Sequence, residues 1–308
     1  MSNPVIAGVA QVANRDEDRI VHPVELLEDA ARAALSDAGI AADRVDGVLS
    51  TPLSVFSTDD GAELVASRLG LAPGMRGESR YSGAGPQRLL QTACAAVADG
   101  SARAVLVVGG IADASVRRAR RLGQEPPAPP TSVWSQGSAG TGEHRMREPS
   151  WEGASAEGTS GAGMPSSYFA LVESSLGGGL DPAVHRSRLG DLLAPFTRAA
   201  AAHPDVAWFP TERSAAEIST PTADNRFIAE PYTKLMCSFP TVDLAAAVVV
   251  TAARPGETGS RDVRPLALTA AKDAHAPSAR PVIHRSIALE RAVDRALGLT
   301  SIDPDRID

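Results

Sequence analysis

Apolar and polar positions along the chain switch between two periods, one near 2 and one near 3.6. Pro4 to Gln11 alternates apolar and small residues and reads as a first buried strand. Pro23 to Leu35 reads as an amphipathic helix, with proline at its start, acidic residues in its first turns and Gly39 as its stop. Val45 to Leu49 is a second strand, Ala62 to Leu69 a helix closed by Gly70, and Pro86 to Ala98 a helix closed by Gly100. Ala104 to Gly109 is a fully buried strand by its Val and Leu content. Strands alternating with helices predict an α/β fold with a mostly parallel sheet covered on both faces.

The alternation then breaks. Gln124 to Pro130 is a stiff polyproline segment, and residues 135–163, rich in Gly, Ser, Ala and Glu, read as loop. Helices are expected over Ser167–Ser175, Pro182–Gly190 and Asp191–Ala202, the middle one opened by Asp181-Pro182. Val242 to Ala252 returns as a long buried strand, so about 130 residues are inserted between two strands of one sheet. Insertions of that length carry function more often than mere connection. After a polar linker, Arg254 to Asp262, Val263–Ala271 reads as a strand and Ser286–Leu297 as a helix capped by Gly298. The closing Asp305-Arg306-Ile307-Asp308 repeats the pattern of Asp43-Arg44-Val45-Asp46, which follows the first helix. The tail therefore looks like the start of an internal repeat.

Composition narrows the classes. At 308 residues with 43% hydrophobic and 22% charged residues, a soluble globular protein is expected. The net charge of −7 argues against nucleic acid as a partner. Two distant cysteines, Cys94 and Cys237, give no metal-ligand spacing and point to a reducing cytosol, hence a cytoplasmic protein. No secretion signal or bilayer-spanning run is read, so no membrane is expected. Asp59-Asp60 has no companion ligands, and no metal site is expected.

The chemistry centres on Ser79-Arg80-Tyr81-Ser82-Gly83-Ala84-Gly85-Pro86-Gln87, a small-residue turn entering a buried helix. A helix start offers unpaired N–H groups and a positive dipole end to a reacting group. Ser82 reads either as a small residue for close packing or as an acyl-handling hydroxyl. Gly83-x-Gly85 is no dinucleotide fingerprint, because position 88 is Arg. Arg117, Arg118, Arg120 and Arg121 form a basic run that reads as a solvated face or as a seat for a phosphate-type anion. His144 with Arg145 and Arg147 reads as a solvated charge cluster, and Cys94 as core.

Ser82-Gly83-Ala84-Gly85-Pro86-Gln87 resembles the nucleophile loop of the thiolase superfamily, Cys-Gly-Ser-Gly-x-Gln. The resemblance extends through Leu106–Gly110, His185–Leu189, Ala200–Pro204, Ala207–Pro210, Asn225–Ile228, Pro231–Ser238 and Val242–Ala247. It points to the sterol-carrier-protein-type and thiolase-like acetyl-CoA acetyltransferase branch. The family has two similar βαβαβαββ halves, with a loop domain inserted in the first. The resemblance then implies a first half at 1–113 and 240–258, a loop domain at 114–239, and a second half only begun at 259–308. The family uses a cysteine nucleophile, plus a histidine and a second cysteine from its second half. Here Ser82 stands at the nucleophile position, and neither His275 nor His284 lies in a matching motif, so the C-terminal half is expected to be mostly missing.

The resemblance implies an acyltransferase acting on acyl-CoA thioesters, making or breaking a carbon–carbon bond next to the thioester carbonyl, in lipid, sterol or secondary metabolism. Ser82 would be its catalytic position, with Tyr232, Cys237 and Ser238 lining the substrate. No cofactor is implied beyond the CoA thioester as substrate. The rival reading is a non-catalytic or partner-dependent subunit that binds acyl-CoA or assembles, or a retro-aldolase whose bases come from another subunit. By the same resemblance a homodimer is expected, or a heteromer with a small acyl-CoA-binding partner.

Overall fold

The computed structural model describes residues 2–53, 60–79, 82–127, 165–253, 263–274 and 276–307. Asp59, Arg80, Tyr81, the stretch 135–163 with His144, Arg145 and Arg147, the linker 254–262 and His275 lie outside the described residues. The chain forms two compact units, Met1–Glu148 with Pro240–Pro265, and Pro149–Phe239 with Leu266–Asp308.

The first unit is built on a five-stranded sheet. Its strands are β1 (Pro4–Ala13), β2 (Gly47–Ser50), β3 (Met75–Glu78), β4 (Ala104–Ala112) and, after β5 and β6 of the second unit, β7 (Asp243–Ala252). The spatial order is β1, β7, β4, β2, β3. β2 runs parallel to β3 and β4, but β7 is antiparallel to both β1 and β4, so the sheet is mixed where a mostly parallel one was expected. The cause is where the inserted segment leaves and returns. It departs at the carboxyl end of β4 and re-enters beside it, with the Asp113 N–H donating to the Val242 carbonyl at 3.0 Å. A strand that starts where its neighbour ends must run back along it.

Helix α1 (Pro23–Ala38) covers one face, burying Leu26, Leu27, Ala30, Ala31 and Ala34 against Leu106, Val108, Ala247 and Val249. Helix α2 (Gly61–Arg68) joins this cluster through Val65. The alternate β4 residues, Val105 and Val107, are also buried but belong to the opposite face, where α3 (Gly85–Asp99) packs on β4 and β7. Cys94 lies buried in α3, as the spacing predicts. At Gly8 an added Cβ would come within 2.3 Å of the Ala34 carbonyl oxygen, so only glycine lets α1 lie this close to β1. Helix α4 (Asp113–Arg121) follows β4 without a break. The expected strand Val263–Ala271 is reduced to a single bridge, Ile6 with Val263. Pro265 has no N–H with which to continue a ladder.

The second unit contains α5 (Pro165–Leu176), α6 (Pro182–Ala202), α7 (Ala215–Ser219), a hairpin of β5 (Phe227–Ala229) and β6 (Tyr232–Thr233), and α8 (Ile287–Thr300). Asp181 caps α6 by accepting from the Ala183 and Val184 N–H groups. The two helices expected over 182–202 are one, and Gly190 is not a stop: an added Cβ there would meet the Ala215 carbonyl oxygen at 2.5 Å, so the glycine serves close packing on α7. Buried Asn225 stitches the hairpin's approach. Its amide donates to the carbonyls of Glu217, Ile218 and Thr220, and its oxygen accepts from the Leu235 N–H. Helix α8 runs past Gly298 to Thr300 and ends at Ser301 in the left-handed region, φ 53°. It then enters a one-turn helix, Pro304–Arg306, as α1 is followed by Ala42–Arg44. Laid on α1 through their shared Asp-Arg-Val/Ile-Asp ending, Leu289 corresponds to Leu27. Leu27 is fully buried and Leu289 is 63% exposed.

Candidate functional site

Ser82 sits three residues before α3, in the turn that follows the carboxyl end of β3. It is exposed. Its carbonyl accepts from the Gly85 N–H at 2.9 Å, and its hydroxyl accepts from the Ala84 N–H at 3.2 Å. No side chain caps α3, and Pro86 lies in its first turn. The turn therefore presents a hydroxyl beside an uncapped helix start. Among the described residues no histidine or carboxylate bonds that hydroxyl, so nothing there deprotonates it.

Next to this edge lies a network that the sequence did not reveal. Asp243, the first residue of β7, is fully buried. One carboxylate oxygen accepts from the Ser115 N–H at 2.9 Å. The other accepts from Ser115 Oγ at 2.7 Å, Arg118 at 2.6 Å and Asn14 Nδ2 at 3.1 Å. Arg118 also donates to the carbonyls of Asp16 and Arg19. This corrects the solvated reading of the basic run: Arg117, Arg120 and Arg121 are exposed, but Arg118 is buried in an ion pair. A charged residue opening an otherwise apolar ten-residue strand was the available signal, since a buried carboxylate demands a partner. Asp113, at the start of α4, has its pKa raised, first by burial and then by the charge of Asp243.

In the second unit, Tyr232 and Cys237 are half-buried, and Ser238 is exposed. The Tyr232 hydroxyl donates to Glu173 at 2.8 Å, and Nε2 of His185 lies 2.9 Å from the other oxygen of that carboxylate. Burial first, then the bond to Glu173 and its charge, push the Tyr232 phenol above its ordinary range, with a further contribution from nearby Cys237. Burial also raises the Cys237 thiol. Tyr232 and Cys237 are thus brought together, with the Tyr232 hydroxyl committed to Glu173. Sequence reasoning missed Glu173 and His185, which lie on separate helices with no motif spacing. Among the described residues no cluster of His, Cys, Asp and Glu could hold a metal, and no helix is long and apolar enough to cross a membrane.

No family model matches the chain. Over 86 residues it is 37% identical to a beta-ketoacyl-[acyl-carrier-protein] synthase III of Ruegeria pomeroyi, covering 28% of this chain and 27% of that one. The crystal structure of a monomeric SCP2-thiolase-like protein type 1 from Mycobacterium smegmatis matches 99% of this chain, at 26% identity and a TM-score of 0.73. The chain belongs to the thiolase superfamily. Within it, the likeness is to the SCP2-thiolase-like group. This thiolase-type chain spans 59% of the length of the M. smegmatis structure. The thiolase fold is also shared with the Ltp2-ChsH2(DUF35) aldolase structure, at 18% identity, a TM-score of 0.68, and coverage of 99% of this chain and 71% of that one.

Proposed function

We propose that the chain binds acyl-CoA thioesters and belongs to a thiolase-like acyltransferase that makes or breaks a carbon–carbon bond next to the thioester carbonyl. The observation that carries this reading is the Ser82 turn. It lies at the carboxyl edge of the sheet and opens a helix with no side-chain cap, and its likeness to the thiolase nucleophile loop makes it the proposed nucleophile position. The positive dipole end of α3 suits the negative charge that develops on a thioester oxygen. Ser82 is the proposed catalytic position, and Tyr232, Cys237 and Ser238 are the proposed substrate-lining residues. Residues 259–308 are the proposed beginning of a second thiolase half, a reading supported by the exposed face of α8.

A second reading is favoured by one observation, that no base serves the Ser82 hydroxyl among the described residues. Carbon–carbon cleavage in the retro-aldol sense needs an acid/base and an oxyanion site but no covalent nucleophile. The aldolase named in the Ltp2-ChsH2 structure lends that reading support. Both readings require thioester binding, which calorimetric titration of acetyl-CoA against free CoA tests. Tighter binding of the thioester is expected, and equal or absent binding of the two rejects both readings.

A further inference from the structure

Asp113 follows directly on the last residue of β4 and opens α4. Its side chain is partly buried, and among the described residues no donor bonds its carboxylate. The donors beside it are already taken. The Ser115 N–H and hydroxyl and the Arg118 guanidinium all serve Asp243. Of two neighbouring acids, one is buried and fully bonded and the other is left bare.

A first-turn acid ordinarily gains from the helix dipole, which lowers its pKa. Asp113 shifts upward instead, through burial first and then the like charge of Asp243. The other charged groups of the neighbouring elements are Arg117, Arg118, Arg120 and Arg121 of α4, Arg15, Asp16, Glu17, Asp18 and Arg19 of the loop after β1, and Asp243 of β7. Arg118 is spent on Asp243 and on that loop's carbonyls. A bare, partly buried acid costs stability, and among the described residues no contact makes use of its charge.

Its position suggests the use. Strands β4, β2 and β3 are parallel neighbours, so their carboxyl ends share one edge of the sheet. Asp113 follows β4 and the Ser82 turn follows β3, two strand spacings away, roughly 10 Å. Ligands of open α/β sheets bind along that edge.

We propose that Asp113 is a proton-transfer residue for the carbon next to the carbonyl of a bound acyl thioester. The assignment rests on the thioester reading above. Asp113 takes the α-proton, and the C–H electron pair becomes the enolate, whose oxygen faces the positive dipole end of α3. Return of the proton from the carboxyl restores the thioester, so the exchange consumes no co-reactant. A carboxylate raised toward neutrality is a better base for this step than an ordinary one. The sequence led us to expect such bases from another half or subunit, whereas this one lies in the first unit.

The test is deuterium wash-in at the α-carbon of acetyl-CoA in D2O, followed by NMR for wild type, Asp113→Asn and Asp113→Glu, with calorimetric binding and Tm measured beside it. Wild type should exchange, and D113N should lose about 100-fold or more in rate with unchanged affinity. D113E should recover part of the loss. At pH 8 D113N should also melt above wild type, because the amide removes a buried like charge. Equal exchange rates in wild type and D113N, or a D113N Tm no higher than wild type, would overturn the assignment. Failure of wild type to bind acetyl-CoA would instead remove the thioester reading, and this assignment with it.

Discussion

Replacing Asp243 with alanine removes the one carboxylate that receives the Ser115 N–H, the Ser115 hydroxyl, Arg118 and Asn14. Asp243 has no exposed surface, and the Arg118 side chain is only 8% exposed, so water does not replace what is lost. Arg118 would keep its two loop carbonyls but lose its counter-charge, and the first turn of α4 would lose the acceptor of its Ser115 N–H. Breaking a buried pair by removing one partner costs about 3–5 kcal/mol. Asn offers little relief, since in one orientation its NH2 faces the Ser115 N–H and in the other the donors of Arg118 and Asn14, and in both it lacks the charge that pairs with Arg118. Replacing both partners, as in Arg118→Met with Asp243→Leu, should cost less than D243A alone, because no charge is left buried and unpaired. Urea denaturation of the two single variants and the double variant measures all three. A D243A loss below about 1 kcal/mol, the scale of a surface pair, would refute the claim that this network clasps the start of the inserted segment to the sheet.

In the second unit, Tyr232→Phe deletes a hydrogen bond to a carboxylate and should cost about 1–2 kcal/mol, reduced from the buried value because the ring is half-exposed. The folded phenol titrates above the free value, so its stabilisation is complete below about pH 10 and is lost as pH rises through the folded pKa. The wild-type advantage over Y232F in urea should therefore shrink above that pH, and a constant advantage across the alkaline range would contradict the Glu173 bond. Ser82→Cys places a thiol at an uncapped helix start. After incubation with acetyl-CoA at pH 8.5, peptide mapping should find the acetyl group on residue 82 in preference to Cys237, whose thiol is raised by burial. Acetylation of Cys237 alone would argue that the Ser82 turn is not where the thioester is presented.

Periodicity made the strands and helices of the first unit legible because their buried faces are simple: Val and Leu on β4, Ala and Val on β7, Leu and Ala on α1. The interruption of one sheet by a long insertion was legible for the same reason. The sense of β7 was not, since it depends on where the returning chain enters the sheet, and strand composition carries no direction. The expected break between Pro182–Gly190 and Asp191–Ala202 does not occur, and contact with α7 gives Gly190 a packing role that only tertiary structure shows. The Ser82 turn was legible as small residues entering a helix, and Tyr232 was named only through the resemblance. The partners and neighbours of Asp113, Asp243, Arg118, Glu173 and His185 were not legible. Each acquires its chemistry from a partner or neighbour on another element, such as Arg118 from a strand 125 residues away.

The measurement that bears most directly on the central claim is native mass spectrometry of the purified chain with acetyl-CoA or free CoA. A thioester complex that persists at concentrations where free CoA shows none is the predicted result, because the uncapped helix start beside Ser82 is matched to the carbonyl that CoA lacks. Equal occupancy by both, or by neither, would contradict the account.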